Sequence, residues 1–189
     1  MRGDGDGWVI SAEGHHWGRH GAAGLLLRAP LDDGSPAVLL QHRALWSHQG
    51  GTWGLPGGAL DSHEAAEEAA VREAWEEAGL AEEHIEVRTS LVTTRIVGLE
   101  DGVTWSYTTV IADARERLAT VANRESTELR WVPEAEVTRL PLHPAFAESW
   151  VLLSVTGSVL HHDCRLSQPH TVVHKSVEGC IFAWCVGGS

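Results

Sequence analysis

The chain has little lysine, and its cysteines come late. Lys175 is the single lysine among 189 residues, and no cysteine precedes Cys164. With a formal charge of −12, the chain lacks the basic footprint that nonspecific nucleic-acid binding needs. Its other basic residues are arginines, which suit planar, bidentate phosphate contacts and which a GC-rich genome would equally supply. Cys164, Cys180 and Cys185 are odd in number and unevenly spaced. They make no disulfide framework, so reduced thiols are expected. The longest apolar run, around 150–160, is broken by Ser, Thr and Gly and is too short for a span of roughly 20 residues. The opening MRGDGDG has no apolar stretch behind its arginine, so no signal peptide is read. A cytoplasmic protein is expected, without a membrane or a nucleic-acid polymer as partner.

What is present reads as one mixed α/β domain with appendages. Residues 1–20 are rich in Gly and His and read as a mobile or peripheral arm. Segments 22–29 (AAGLLLRA) and 37–44 (AVLLQHRA) flank the turn LDDGSP and are expected to pair as a hairpin. Further strands are expected over 85–97, 103–112 and 128–132. A helix is expected over 144–153, where Phe146, Trp150 and Leu153 recur at helical spacing behind Pro144. Residues 151–189 differ in composition: they hold every cysteine and the only lysine, and their charges cancel. Their His and Cys residues contain no CxxC pair, and no zinc site is expected there or at His15, His16 and His20.

The stretch 57–80, GGALDSHEAAEEAAVREAWEEAGL, carries the chemistry. Asp61 or Ser62 can cap a helix, with Glu64 in capping-box spacing from Asp61, and Gly79 can stop it. The helix is expected over 64–78. At about 100° per residue, Glu76 and Glu77 fall within roughly 60° of Glu73. Ala70, Val71, Ala74 and Ala78 share an adjoining arc expected to face the core. Like charges at this spacing repel, and acids near a helix C-terminus oppose the macrodipole. A bound divalent cation would relieve both penalties, and hard carboxylate oxygens suit Mg²⁺ or Mn²⁺. The pair Gly57-Gly58 lets backbone approach a ligand closely, and it serves equally as a plain turn.

Together these residues resemble the Nudix hydrolase signature. Gly58, Glu64, Arg72-Glu73, Ala74, Glu76-Glu77, Gly79 and Leu80 occupy its fixed positions. GGTWGLPGG before it and ELRWVP after it are similar to the flanks of that family. The resemblance covers about residues 20–150, leaving an arm (1–20) and a C-terminal extension (151–189) outside a domain of residues 21–150. It implies an α/β/α sandwich with a mixed β-sheet, and hydrolysis of a nucleoside diphosphate linked to another group. It also implies that Glu73, Glu76, Glu77 and the Gly57 carbonyl bind the metal. Gly58, Glu64, Arg72 and Gly79 would brace the box. The residue that activates water is either a box glutamate or one outside it, Glu125 or Glu128.

Substrate choice is read by elimination. Thr93, Thr94 and Arg95 stand where ADP-ribose cleavers of the family often show Pro. Val97 and Gly98 stand where dinucleoside polyphosphate cleavers often show Tyr. A nucleoside triphosphate, oxidised ones such as 8-oxo-dGTP included, is expected. Trp53, Trp105 and Tyr107 either stack on a base or pack in the core. Arg43 and Arg95 either meet phosphate or sit on the surface. The alternatives are ADP-ribose or dinucleoside polyphosphate hydrolysis, or a nucleotide sensor, which would usually have lost box carboxylates. A related isoprenoid diphosphate isomerase would carry a cysteine before the box, and none is there. A homodimer is in keeping with the resemblance.

Overall fold

The computed structural model describes residues 3–11, 14–97 and 104–163, with side chains to residue 156. Strands β1 (Trp8–Ser11) and β2 (Gly14–Trp17) form a separate two-stranded sheet. The seven-stranded sheet holds β3 (Ala22–Pro30), β4 (Pro36–Arg43), β5 (Trp53–Gly54), β6 (Gly57–Ala59), β7 (Glu86–Ile96), β8 (Trp105–Asp113) and β9 (Ser126–Pro133). Helix α1 spans Ala66–Ala78 and α2 spans Pro144–Asp163. Among the described residues no helix is long and apolar enough to cross a membrane.

Strand β3 is central because it is apolar on both faces, as strands in parallel pairings usually are. Eight of its nine residues are buried. It runs parallel to β8 from Ala22↔Tyr107 to Arg28↔Asp113. Ala23, Leu25, Leu27 and Ala29 pack with Ala69, Ala70, Ala74 and Ala78 of α1. On the opposite face, Leu26 packs in the layer of α2's Phe146, Trp150 and Leu153. The result is a sheet between two helices, the expected α/β/α sandwich.

The expected β3–β4 hairpin holds only at its tip. Pairing stops after Arg28↔Val38, and the strands splay. Strand β6 takes over beside β3 through Ala22↔Ala59 and Gly24↔Gly57, and β5 takes over beside β4 through Gln41↔Gly54. The other edge of β4 pairs with β9. A Cβ on Gly57 would lie 2.3 Å from the Ala23 carbonyl oxygen. Glycine there lets the inserted strand run tightly along β3, and the splay opens a cleft.

Helix α1 begins at Ala66, two residues later than expected. Asp61 and Ser62 do not cap it. Instead the Ala65 N–H donates to Glu68 (2.8 Å), half of a capping box shifted along the chain. Glu64 accepts from the Asp61 N–H (3.1 Å) and belongs to the loop. The buried face is Ala69, Ala70, Ala74 and Ala78 together with Glu77. Val71 is only partly buried, so the apolar arc is one residue off the expected one. Gly79 ends the helix in the left-handed region (φ 69°). No basic residue lies in the last turn. The carbonyls of Glu77 and Ala78 instead accept from the Asn123 and Val121 N–H groups (3.3 and 2.9 Å), which satisfies helix-end acceptors that would otherwise lack partners. Helix α2 opens at Pro144 as expected and runs through residue 150 without a break.

Candidate active site

The three box carboxylates leave α1 at one end of the cleft, each in a different environment. Glu77 is 5 % exposed and accepts the Gly57 N–H at 2.8 Å. Burial is the main force on it, with Glu73 adding repulsion, and its carboxyl is pushed up to about 7 despite the Gly57 bond. Glu73 is pushed upward by burial too, with Arg72 opposing. Glu76 is the more open of the three. A buried carboxylate beside two others is costly, and the one guanidinium among them, Arg72, pairs with Glu73 (2.7 Å). The donor set is hard oxygen throughout, and burial and repulsion both favour bringing in a cation. The residues therefore fit a divalent metal.

Arg72 joins the parts of this loop and helix. Its Nε and Nη2 grip Glu64 (2.6 and 2.9 Å), Nη1 donates to Glu73 (2.7 Å), and Nη2 also reaches the Ala59 carbonyl (3.0 Å). The guanidinium holds the Glu64 carboxyl below its ordinary range. Gly58 sits against Glu73: a Cβ there would lie 2.6 Å from the carboxylate carbon. We expect Arg72→Lys to lower kcat about 10-fold or more. Lysine cannot reproduce the fork on Glu64 while also reaching Glu73. A few degrees should also be lost in a thermal melt. Wild-type kcat in the lysine variant would mean that the fork does not position Glu73.

The remaining expected residues divide. Glu125, Arg43 and Tyr107 line the cleft, whose volume is about 1400 Å³. Glu125 lies close enough to raise both Glu73 and Glu77 electrostatically. The Tyr107 phenol is pushed well above its ordinary value by burial and then by Glu77, so it stays protonated. Its oxygen would collide with any Cβ at Gly24 (1.9 Å). Arg43 donates to the His48 carbonyl oxygen (3.0 Å). Glu128 is not in the cleft lining and forks with Arg130 on β9 (2.7 and 2.8 Å). Trp53 belongs to the core on the α2 side, stacked on His42 (4.8 Å, 24°) with Arg130 over its ring. Arg95 lies on β7, exposed and outside the cleft. Trp105 lines the cleft, but its indole N–H is tied to the Gly18 carbonyl (3.0 Å).

Sequence reasoning passed over several residues in and behind the cleft. Gln41 is 1 % exposed on β4, donates to Ser126 Oγ (2.7 Å) and contributes a hydrogen bond that lowers Glu77. Its signal was a lone amide inside an apolar strand. His48 and His143 lie in flanking loops with no motif. Burial, Arg43 and His48 bring His143 down to about 4. Glu67 accepts from Ser90 Oγ on β7, which explains an acid near the apolar arc. Among the described residues, the tightest group of metal-capable side chains is Asp4, Asp61 and His63, within 4.8 Å. Its carboxylates are already engaged. Asp4 accepts from the Ser62 N–H (2.9 Å), and Asp61 accepts from the Gly5 N–H (3.0 Å). We read that group as a latch. The histidines and cysteines of the C-terminal extension lie outside the described side chains.

Known proteins match this chain along most of its length. The model of the NUDIX domain matches residues 18–153. A Mycobacterium tuberculosis protein named "Putative 8-oxo-dGTP diphosphatase 3" is 58 % identical over 193 residues, covering 100 % of this chain and 87 % of its own. A Bifidobacterium longum nucleoside triphosphate pyrophosphatase/Nudix hydrolase fusion protein is 43 % identical over 152 residues, 77 % of this chain and 30 % of its own. In three dimensions, the crystal structure of RenU, a Nudix hydrolase from M. smegmatis, superposes with a TM-score of 0.79 at 62 % identity. That match covers 82 % of this chain and 97 % of RenU.

Proposed function

The chain belongs to the NUDIX domain family, and on that premise we propose a cytoplasmic, divalent-metal-dependent hydrolase of nucleoside triphosphates. Oxidised purines such as 8-oxo-dGTP are its first substrates, and the products are the monophosphate and pyrophosphate. The observation that carries this reading is the intact set of Glu73, Glu76 and Glu77, gathered beside a cleft with Arg43. The name of the M. tuberculosis relative supports the oxidised substrate.

Glu73, Glu76, Glu77 and the Gly57 carbonyl would hold Mg²⁺ or Mn²⁺. When bound, the cation would supply positive charge against the phosphates and Lewis acidity. Gly58, Glu64, Arg72 and Gly79 keep the carboxylates in place. Arg43 faces the phosphates. Glu125, outside the box but at the same end, takes the proton of the attacking water. Tyr107, fixed as a neutral phenol beneath the cleft, offers a hydrogen-bond donor that carries no charge into the anionic site. Phosphoryl transfer needs mostly positioning and charge neutralisation, and this set supplies both.

A hydrolysis screen with Mg²⁺ tests the reading. The panel holds 8-oxo-dGTP, the ordinary nucleoside triphosphates, ADP-ribose and diadenosine tetraphosphate. We expect 8-oxo-dGTP to show the highest kcat/KM, with pyrophosphate and not phosphate released. A preference for ADP-ribose would overturn the substrate. No turnover of any compound, with nucleotide still bound, would make the chain a sensor.

A further inference from the structure

The cleft has a wall that the NUDIX match leaves out. Residues 3–17 precede the matched segment, yet Trp8, His15, His16 and Trp17 of the β1–β2 hairpin line the same cleft as the carboxylates. The sequence suggested a mobile or peripheral arm. Instead the hairpin is fastened on two sides. On one side the Asp4–Ser62 and Gly5–Asp61 bonds fix it to the loop that leads into α1. There Gly5 is packed so closely that a Cβ would lie 1.8 Å from the Leu60 carbonyl oxygen. On the other side, the Trp105 indole on β8 donates to the Gly18 carbonyl, and His16 packs on the Trp105 ring (4.8 Å). A segment tied to both the carboxylate loop and the sheet is pre-positioned. Pre-positioned groups are what a binding site needs, because little ordering is left to do on binding.

Trp8 is the residue this wall presents. It meets Trp17 edge-on (5.1 Å) and reaches across to His48 (5.6 Å, 67°), in the loop after β4. His48 in turn neighbours His143 (6.5 Å). Nearly half of Trp8 remains uncovered, at 49 % exposure. Arg43 lines the cleft beside this aromatic end, where it donates to the His48 carbonyl oxygen (3.0 Å). Its charge is felt by His48 and His143 and by Tyr107, which also feels Glu77. The cleft thus brings together metal-seeking carboxylates, the arginines Arg43, Arg72 and Arg124, and an aromatic wall. A nucleoside triphosphate has the matching parts: phosphates that take metal and arginine, and a flat base.

We infer that the N-terminal hairpin is the base-binding wall of the active site, with Trp8 as the ring on which the purine packs and His48 bounding it from the facing loop. This inference rests on the nucleotide-hydrolase reading and adds to it a specificity element outside the matched domain.

Two readouts test it on the full chain: KM and kcat with 8-oxo-dGTP, and calorimetric binding of dGMP without metal. Loss of one base–aromatic contact weakens binding on the order of 10-fold. Trp8→Ala should therefore raise KM and the dGMP Kd by about that factor, with kcat changed less than about threefold. Trp8→Phe should restore most of the loss. Trp75→Ala, on the exposed face of α1 away from the cleft, should leave both values unchanged. Should Trp8→Ala fail to fold, His48→Ala carries the same expectation. Wild-type KM and Kd in the folded variant would overturn the inference and leave the hydrolase reading intact. If no nucleotide is hydrolysed by the wild type, that reading falls. The dGMP affinities of wild type and Trp8→Ala still decide the wall.

Discussion

Glu77→Gln will remove turnover and at the same time stabilise the metal-free protein at pH 8. The two effects have one cause. Burial and the neighbouring Glu73 raise the Glu77 carboxyl from 4.5 to about 7. In the unfolded chain it titrates at its ordinary value. Between those values the folded state holds a proton that the unfolded state has released, so stability falls as pH rises through that window. Below it the penalty is absent. Above it the penalty is complete and amounts to about 3 kcal/mol. Glutamine carries no charge and still offers an oxygen to the Gly57 N–H. The variant should therefore melt higher than wild type at pH 8, by roughly 6–12 °C for a chain of this size, and nearly level with it at pH 5. Taking the difference between the two proteins cancels other carboxylates such as Glu64 and Glu67, which are shifted downward. Mg²⁺ should raise the wild-type melting point more at pH 8 than at pH 5 and should do much less for the variant. Turnover should drop by about 10²–10³ or more, as when a fixed electrostatic partner of a transition state is lost. Equal pH profiles for wild type and variant would show that Glu77 is not charged at this cost in the folded protein.

Arg28→Ala will be the most damaging substitution far from the cleft. Arg28 is 2 % exposed on the face of β3 that looks toward α2. Its Nε donates to Glu134 (2.6 Å), and its Nη2 donates to the Leu153 carbonyl (2.8 Å). Truncation leaves Glu134 without its counter-charge, a helix carbonyl without that donor, and a void where the stem packed. Breaking a buried pair by deleting one partner costs about 3–5 kcal/mol, which a denaturant titration would register as a lower midpoint. The double variant Arg28→Met with Glu134→Gln should recover most of that loss, because it removes both charges and refills the space. A single alanine variant within about 0.5 kcal/mol of wild type, the range of ordinary surface changes, would refute the assignment.

How much of this was legible in the sequence depends on how local each signal was. The three carboxylates and the Glu64–Arg72 brace lie within one loop and helix. Spacing alone therefore brings them together, and the rotation of an α-helix is nearly fixed. The helix start was displaced because Asp61 and Glu64 satisfy each other inside the loop, a local alternative that the same residue types offer. The β3–β4 hairpin was legible from the turn between two apolar runs, but how far its pairing extends was not. The stronger signal was that β3 is apolar on both faces, which marks a central strand with parallel neighbours. The hairpin of residues 8–17 was hidden for another reason. Its exposed and half-buried residues alternate, and two histidines and a glycine fill β2. What fixes it in place comes from Asp61, Ser62 and Trp105, far along the chain, and no window around residue 10 contains them. Trp53 and Glu128 looked like site candidates by type, but strand register sends one to the core and the other to a surface ion pair.

The short segment 121–125 closes the end of α1 and also carries Glu125. Val121 and Asn123 hold the last helical carbonyls, Asn123 Oδ1 accepts the Glu125 N–H (2.8 Å), and the Glu125 carbonyl accepts the Ala44 N–H (2.9 Å). The acid from outside the box and the acids inside it therefore share one truss, clamped to α1 at one end and to the chain just past β4 at the other. A shift of α1 by a fraction of an ångström would carry Glu125 with it, so the distance between the two sets of carboxylates is held nearly constant.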